Sequence, residues 1–186
     1  MKKNEMIALC GMFVAVMMVL GYIESLLPLP GGYGFKIGLS NSVLLISLYW
    51  LGIPVSFILM LVKVLLGALM FASSKLIYAL SGGILSMIAM TLMIYGVKGV
   101  SPIGAGIAGA VMHNVGQVLM AMIIIPSAGL TTLMAVLIVV GVVMGAITGT
   151  AAKLLLRHLP YARKKALGLS QDDSRSSGDA GAEHVD

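Results

Sequence analysis

Three of the charged side chains inside or beside long apolar runs of this sequence are candidates for a function. Lys63 is midway along the apolar stretch 55–72, and Glu24 and Lys36 flank a Gly- and Pro-rich stretch near the N-terminus. An ionised group at the centre of a bilayer costs about 2.5–3.5 kcal/mol on insertion scales, so it needs a partner, a water-filled cavity or a functional role. For Lys63 three interpretations stay open: an ion pair with Glu24, binding of an anion, or snorkelling of its ammonium group to the membrane surface.

A group of uncharged or weakly basic polar side chains interrupts the apolar stretch 103–125. His113 and Gln117 are four residues apart and therefore share one face of a helix, and Asn114 follows His113 directly. Such a face points either at neighbouring helices, through interhelical hydrogen bonds, or at a ligand. A cavity would form if these side chains lay opposite the polar residues of other helices.

Polar residues in two further apolar stretches complete the candidate site. Asn41 lies near the start of one stretch, and Tyr78 and Ser81 precede Gly82-Gly83 in another. The glycine pair either kinks its helix or lets the backbone approach a ligand, because Gly has no side chain to block it. The candidate substrate-binding residues are Glu24, Lys36, Asn41, Lys63, Tyr78, Ser81, His113, Asn114 and Gln117.

Signatures of catalysis are missing from the sequence. It has no Gly-rich phosphate loop ending in Lys-Ser/Thr, no pair of His at metal-ligating helical spacing, and one cysteine, Cys10, in an apolar segment. The adjacent acidic pair Asp172-Asp173 lies in a polar tail, so an aspartate-rich magnesium-diphosphate site of the prenyltransferase kind is missing too. We therefore expect a protein that is not an enzyme and that holds neither a metal nor a cofactor.

The elements that must position these residues are transmembrane helices. Of the 186 residues, 59% are hydrophobic and 10% charged, whereas soluble domains carry about 25% charged residues. A span needs roughly 20 apolar residues. Polar and Gly/Pro breaks divide the chain into six such spans, which predicts an all-α integral membrane protein with six transmembrane helices. The predicted spans are about 6–23, 37–52, 55–72, 76–96, 103–125 and 132–156.

Charge patterning indicates topology rather than nucleic-acid binding. Residues 1–171 hold eleven Lys/Arg against two Glu, while residues 172–186 hold one Arg against five Asp/Glu. The basic residues stand singly at helix ends or inside apolar runs, unlike the basic face of a nucleic-acid-binding protein. By the positive-inside rule we expect both termini in the cytoplasm. Residues 1–5 would be the cytoplasmic N-terminus and residues 158–186 a basic, then acidic, disordered tail.

Small residues recur at helical spacing on several spans, as they do where membrane helices pack closely. The sixth span carries Gly141, Gly145 and Gly149, and the first carries Ala8, Gly11 and Ala15. Such ridges serve either packing within the chain or docking of a partner membrane protein. Both interpretations stay open at this stage.

Five motifs in order along the chain carry a resemblance to a known family. They are Tyr22-Ile23-Glu24-Ser25-Leu26-Leu27-Pro28, Lys36-Ile37-Gly38-Leu39-Ser40-Asn41, Lys63-Val64-Leu65-Leu66-Gly67, Tyr78-Ala79-Leu80-Ser81-Gly82-Gly83 and His113-Asn114-Val115-Gly116-Gln117. Over about residues 5–157 the chain resembles the bacterial family described as heptaprenyl diphosphate synthase component I or as the Gx transporter family. Two positions depart from the family pattern: Lys63 stands where Arg is usual, which keeps the charge but loses the bidentate fork, and Ser40 stands where Ala is common.

The family is similar in turn to the substrate-binding, or S, components of energy-coupling factor (ECF) transporters. This resemblance implies an ECF S-component-like fold in the bacterial cell membrane, acting as the substrate-binding subunit of an importer for a small, anionic or amphipathic solute. It further implies that residues 28–36 form a lid and that Ala8, Gly11 and Ala15 dock an ECF coupling subunit served by ATPases. The alternative is a non-catalytic accessory subunit of heptaprenyl diphosphate or quinone synthesis, or of a membrane electron-transfer assembly.

Overall fold

The computed structural model describes residues 3–26, 39–71, 76–125 and 127–157. The predicted lid at 28–36, which includes Lys36, and the predicted tail at 158–186 lie outside these ranges. The helices are α1 (Lys3–Leu26), α2 (Leu39–Trp50), α3 (Ile53–Phe71), α4 (Leu76–Thr91), a π-helical turn (Leu92–Gly96), α5 (Pro102–Ile124) and α6 (Gly129–Arg157).

Every regular element in the described ranges is helical, which confirms the predicted all-α fold. Five of the helices are long and apolar enough to cross a membrane, as expected of a multi-pass membrane protein. The exception is α2, which is apolar but has only 12 residues. At 1.5 Å per residue it covers about 18 Å, less than the roughly 30 Å hydrocarbon core of a bilayer.

Local signals explain where several helices begin and end. Gly52 has a φ of +82°, a conformation that glycine adopts without strain, and it turns the chain from α2 into α3. At the start of α5 the hydroxyl of Ser101 accepts a hydrogen bond from the backbone N–H of Gly104. Pro102 occupies the first turn of that helix, where its missing N–H costs nothing.

The glycine ridge of α6 packs against α5. A Cβ atom on Gly145 would lie 2.6 Å from the Cα of Ile107, and one on Gly149 would lie 2.8 Å from the Cα of Ile103. Carbon atoms in contact normally stay about 3.5–4.0 Å apart, so only glycine permits this approach. The ridge of the sixth span therefore serves packing within the chain.

Gly82 serves the contact between α4 and α5 rather than a kink or a ligand. A Cβ atom on Gly82 would lie 2.7 Å from the backbone oxygen of His113, and one on Gly116 would lie 2.8 Å from the backbone oxygen of Ser81. The helix continues through both glycines of the pair. The two helices are thus locked together beside His113, one of the candidate site residues.

The ridge on α1 has a different environment. Ala8, Gly11 and Ala15 are exposed, and a Cβ atom on Gly11 would meet no other atom within 4 Å. The opposite face of α1 carries the buried Phe13 and Met17. The small residues of α1 therefore point away from the bundle.

Two contacts define the ends of the bundle. At one end, named here the Glu24 end, the carboxylate of Glu24 near the end of α1 contacts the first residues of α2. At the other, the Tyr95 end, the hydroxyl of Tyr95 donates to the backbone oxygen of Leu48 at 3.4 Å. The two ends define the direction along the bundle in which each cavity lies.

Candidate functional site

Glu24 joins the end of α1 to the start of α2. Its side chain is 2% exposed, one carboxylate oxygen accepts a hydrogen bond from the backbone N–H of Leu39, and the other accepts from the hydroxyl of Ser40 at 3.2 Å. The first N–H groups of a helix lack partners within the helix, and a negative charge there is favoured by the helix dipole. Glu24 therefore caps α2 from another helix.

Lys63 is held by the residue that follows Ser40. Its ammonium group donates to the side-chain oxygen of Asn41 at 2.6 Å. Asn41 is 5% exposed, whereas Lys63 is half-buried. The two charged side chains, Glu24 and Lys63, are thus both bound to the first turn of α2.

A cavity of about 50 Å³ lies beside Lys63, towards the Glu24 end of the bundle. This is space for a few water molecules, since one needs roughly 10–15 Å³ measured in this way. Residues of four helices, α2 to α5, contribute to its wall. They are Ser40, Met60, Lys63, Val64, Gly67, Ala68, Leu76, Ala79, Gly83, His113 and Gln117.

The wall of this cavity has a polar and an apolar part. The polar part consists of Ser40, Lys63, His113 and Gln117, of which His113 is 5% and Gln117 3% exposed. The side-chain oxygen of Gln117 has no hydrogen-bond partner among the described residues. A buried carbonyl left unpaired costs about 1–3 kcal/mol, so a donor placed in the cavity would gain by pairing with it.

The other candidate residues lie in helix contacts outside this cavity. The amide of Asn114 donates to the backbone oxygen of Leu137 at 2.8 Å and so ties α5 to α6. The hydroxyl of Ser81 lies 2.9 Å from the backbone oxygen of Tyr78 and 3.0 Å from that of Gly116, which ties α4 to α5.

Tyr78 does not line this cavity either. It packs on a separate apolar cluster formed by Val118, Ala121, Leu130, Leu133 and Leu137. The structure thus brings Lys63, His113 and Gln117 together at the cavity. Asn41 does not line the cavity but accepts the hydrogen bond from Lys63.

Several wall residues were not among the candidate site residues, and two of them make specific contacts. Ser40 lines the cavity and binds Glu24, and Met60 packs 3.0 Å from the position of a Cβ on Gly83. A signal for Met60 was present, because Met60, Val64 and Gly67 recur at helical spacing on the face that carries Lys63. Ser40 was noted only as a departure from the family pattern, because its contact with Glu24 depends on how α1 packs against α2.

The part of the chain that the structure describes contains no cluster of metal-binding side chains. No group of three or more His, Cys, Asp and Glu side chains there could hold a metal ion. What the cavity offers instead is one cation, an unpaired carbonyl and an apolar wall. Such a set can bind a small molecule by charge and hydrogen bonding.

Comparisons with known proteins place the chain in a family. No curated protein and no solved structure matches it, so the similarity to ECF S components stays a prediction. The family model described as heptaprenyl diphosphate synthase component I matches residues 13–155, well over half of the chain and including all of α2 to α5. The predicted resemblance is confirmed, and the chain belongs to the heptaprenyl diphosphate synthase component I family.

Proposed function

We propose that the chain is the substrate-binding membrane subunit of an importer and that its solute is small and anionic or amphipathic. The observation that carries this proposal is the placement of the Lys63 and Gln117 side chains on the wall of one cavity, with the side-chain oxygen of Gln117 unpaired among the described residues. A charge inside a membrane helix needs a partner or a function. Lys63 meets this requirement in part through its hydrogen bond to Asn41, and its place on the cavity wall is the basis for a function in binding.

The chemistry of the wall defines the ligand that it would bind. An anionic group would face Lys63, and a donor on the same molecule would pair with the oxygen of Gln117. The apolar part of the ligand would lie against Met60 and Val64. An amide held at 2.6 Å restrains the position of Lys63, which lowers the entropy lost when a ligand binds.

A ligand larger than a few atoms requires the cavity to widen. Pockets for drug-sized molecules measure about 300–1,000 Å³, whereas this cavity measures about 50 Å³. The wall has two features that allow widening: Met60 has an unbranched, flexible side chain, and there is open space beside Gly67. We therefore propose that solute binding separates α3 from α4.

Glu24 and the α1 ridge have supporting functions in this proposal. By capping α2, Glu24 positions Ser40 and Asn41, and through Asn41 it positions Lys63. The exposed ridge of Ala8, Gly11 and Ala15 would contact a coupling subunit driven by ATPases, since small residues allow membrane helices to approach closely.

The basic residues support a location in the bacterial cytoplasmic membrane with both termini in the cytoplasm. Eleven of the twelve Lys and Arg precede residue 172, and several of them cluster after the end of α6. Cytoplasmic segments beside membrane helices carry such an excess of positive charge.

A second candidate function is favoured by the family itself. Its description names a component of heptaprenyl diphosphate synthase, so the chain would be a non-catalytic accessory subunit of prenyl diphosphate or quinone synthesis. A membrane electron-transfer assembly is a further setting for such a subunit. The cavity would then have a smaller part in the function than the surface that contacts the soluble partner.

Native mass spectrometry of the full chain, gently extracted from its own membrane, tests the proposal. We expect the wild type to retain a small polar molecule that excess free compound displaces. Lys63→Met should weaken its retention by roughly ten- to a hundredfold, as expected for loss of a charged hydrogen bond of about 1.5–3 kcal/mol.

The matched control is Lys98→Met, because Lys98 is exposed on the turn at the Tyr95 end. It should leave retention unchanged. A protein without a small molecule, but bound to a prenyl synthase or a redox subunit, would overturn the importer proposal and support the second candidate. Equal retention by wild type and Lys63→Met would refute the role of Lys63.

A further inference from the structure

A second, smaller cavity lies on the other side of Asn41, towards the Tyr95 end. Its volume is about 10 Å³, close to the space that one water molecule needs. Helices α2, α4, α5 and α6 meet there. The wall consists of Asn41, Ser42, Leu45, Met90, Gly106, Ala110 and Thr148.

The amide of Asn41, on the wall of the second cavity, has a fixed orientation. Its oxygen accepts the hydrogen bond from Lys63 at 2.6 Å. A reversed amide would place N–H groups against the ammonium group, which only donates. The nitrogen must therefore stay on the side away from Lys63, where it is buried and has no acceptor among the described residues.

Thr148 provides the complementary group on the same cavity. Its hydroxyl hydrogen is directed at the backbone oxygen of Met144, 2.8 Å away, so its oxygen has a lone pair left to accept a hydrogen bond. A direct bond from Asn41 to Thr148 is not formed. The cavity that both residues line is close to one water molecule in size, and a water can accept from one group and donate to the other.

We propose that the second cavity binds one ordered water molecule, which accepts a hydrogen bond from the Asn41 amide and donates one to the Thr148 hydroxyl. The water links the short helix α2 to α6 and supplies the acceptor that Asn41 lacks. It thereby holds Asn41 in the orientation that binds Lys63. The inference does not depend on the importer proposal, because it concerns only the packing around the cavity where α2, α4, α5 and α6 meet.

X-ray radiolytic labelling with mass spectrometry tests it on the intact chain. Hydroxyl radicals formed from bound water oxidise the side chains next to it, and Met90 lines the second cavity while only 1% exposed. The control methionine is Met17, which is equally inaccessible at 0% and lines neither cavity. We expect Met90 to be oxidised several-fold faster than Met17.

Two variants of α6 make the test specific. Thr148→Val removes the hydroxyl at nearly constant volume and should lower the oxidation of Met90 several-fold. Thr150→Val is the matched control: Thr150 is exposed and makes the same kind of bond, to the backbone oxygen of Ala146 at 2.7 Å. It should leave the oxidation of Met90 unchanged.

Oxidation of Met60, which lines the first cavity, reports whether the fold is retained in each variant. The inference is overturned if Met90 is oxidised no faster than Met17 in the wild type. It is overturned equally if Thr148→Val leaves the Met90 rate unchanged while Met60 behaves as in the wild type.

Discussion

Replacement of Gly145 by Ala should separate α5 from α6. The added Cβ atom would lie 2.6 Å from the Cα of Ile107 and 2.9 Å from the backbone oxygen of Gly106. Both neighbours are backbone atoms that cannot rotate away. The helices must therefore move apart locally by roughly 1 Å to restore a normal carbon contact of about 3.5–4.0 Å.

The expected change in the free energy of unfolding results from two opposing effects. Overpacking of a close contact costs typically about 1–3 kcal/mol. The intrinsic preference of helices for Ala over Gly returns at most about 1 kcal/mol. Because both neighbours are backbone atoms, the upper end of the overpacking range applies, and we expect Gly145→Ala to lower the free energy of unfolding by about 2 kcal/mol, the difference between about 3 and about 1 kcal/mol.

Gly11 offers the matched control on α1. A Cβ atom there meets nothing within 4 Å, so Gly11→Ala should be neutral or slightly stabilising. Both variants are measured by reversible unfolding of the purified chain in mixed micelles, with helix content as the readout. Equal stability of Gly145→Ala and the wild type would refute the backbone contact between α5 and α6.

Substitutions at three further positions are tested by the same unfolding measurement. Asn114→Ala should cost about 0.6–1.7 kcal/mol, the range for interhelical hydrogen bonds in membranes, because it removes the bond to Leu137; an unchanged stability would contradict that bond. Gln117→Leu should leave stability equal or higher, since it removes an unpaired buried carbonyl, yet it should weaken solute retention in native mass spectrometry; a large loss of stability would contradict this assignment. Glu24→Gln keeps an acceptor for the N–H of Leu39 and should cost about 0.3–1 kcal/mol, whereas Glu24→Leu leaves that N–H unpaired and should cost about 1–3 kcal/mol; equal effects would argue against capping.

Local properties of the chain were readable from the sequence. Long apolar runs such as 132–156 predicted the helical membrane architecture. A membrane-spanning helix can be recognised from the length and hydropathy of one continuous segment, without knowledge of its tertiary contacts. The five motifs predicted the family that the chain belongs to. The glycine ridge ending at Gly149 predicted a close helix contact, although the sequence left open whether the partner helix was inside the chain.

Part of the candidate site was also within reach of the sequence. Helical spacing grouped His113 with Gln117, and both line the same cavity. Helical spacing could not predict that Asn114, the residue after His113, faces α6 and binds the backbone oxygen of Leu137. Consecutive residues point about 100° apart on a helix, but the direction of each depends on which helices surround it.

Only the tertiary structure decided the connections through α2. Glu24 binds Ser40 across 16 positions of the chain, and Asn41 binds Lys63 across 22. No periodicity relates residues on different helices, since the distance between such residues is set by how the helices pack. The sequence determined which polar side chains enter the membrane, and the packing of the helices determined which of them meet.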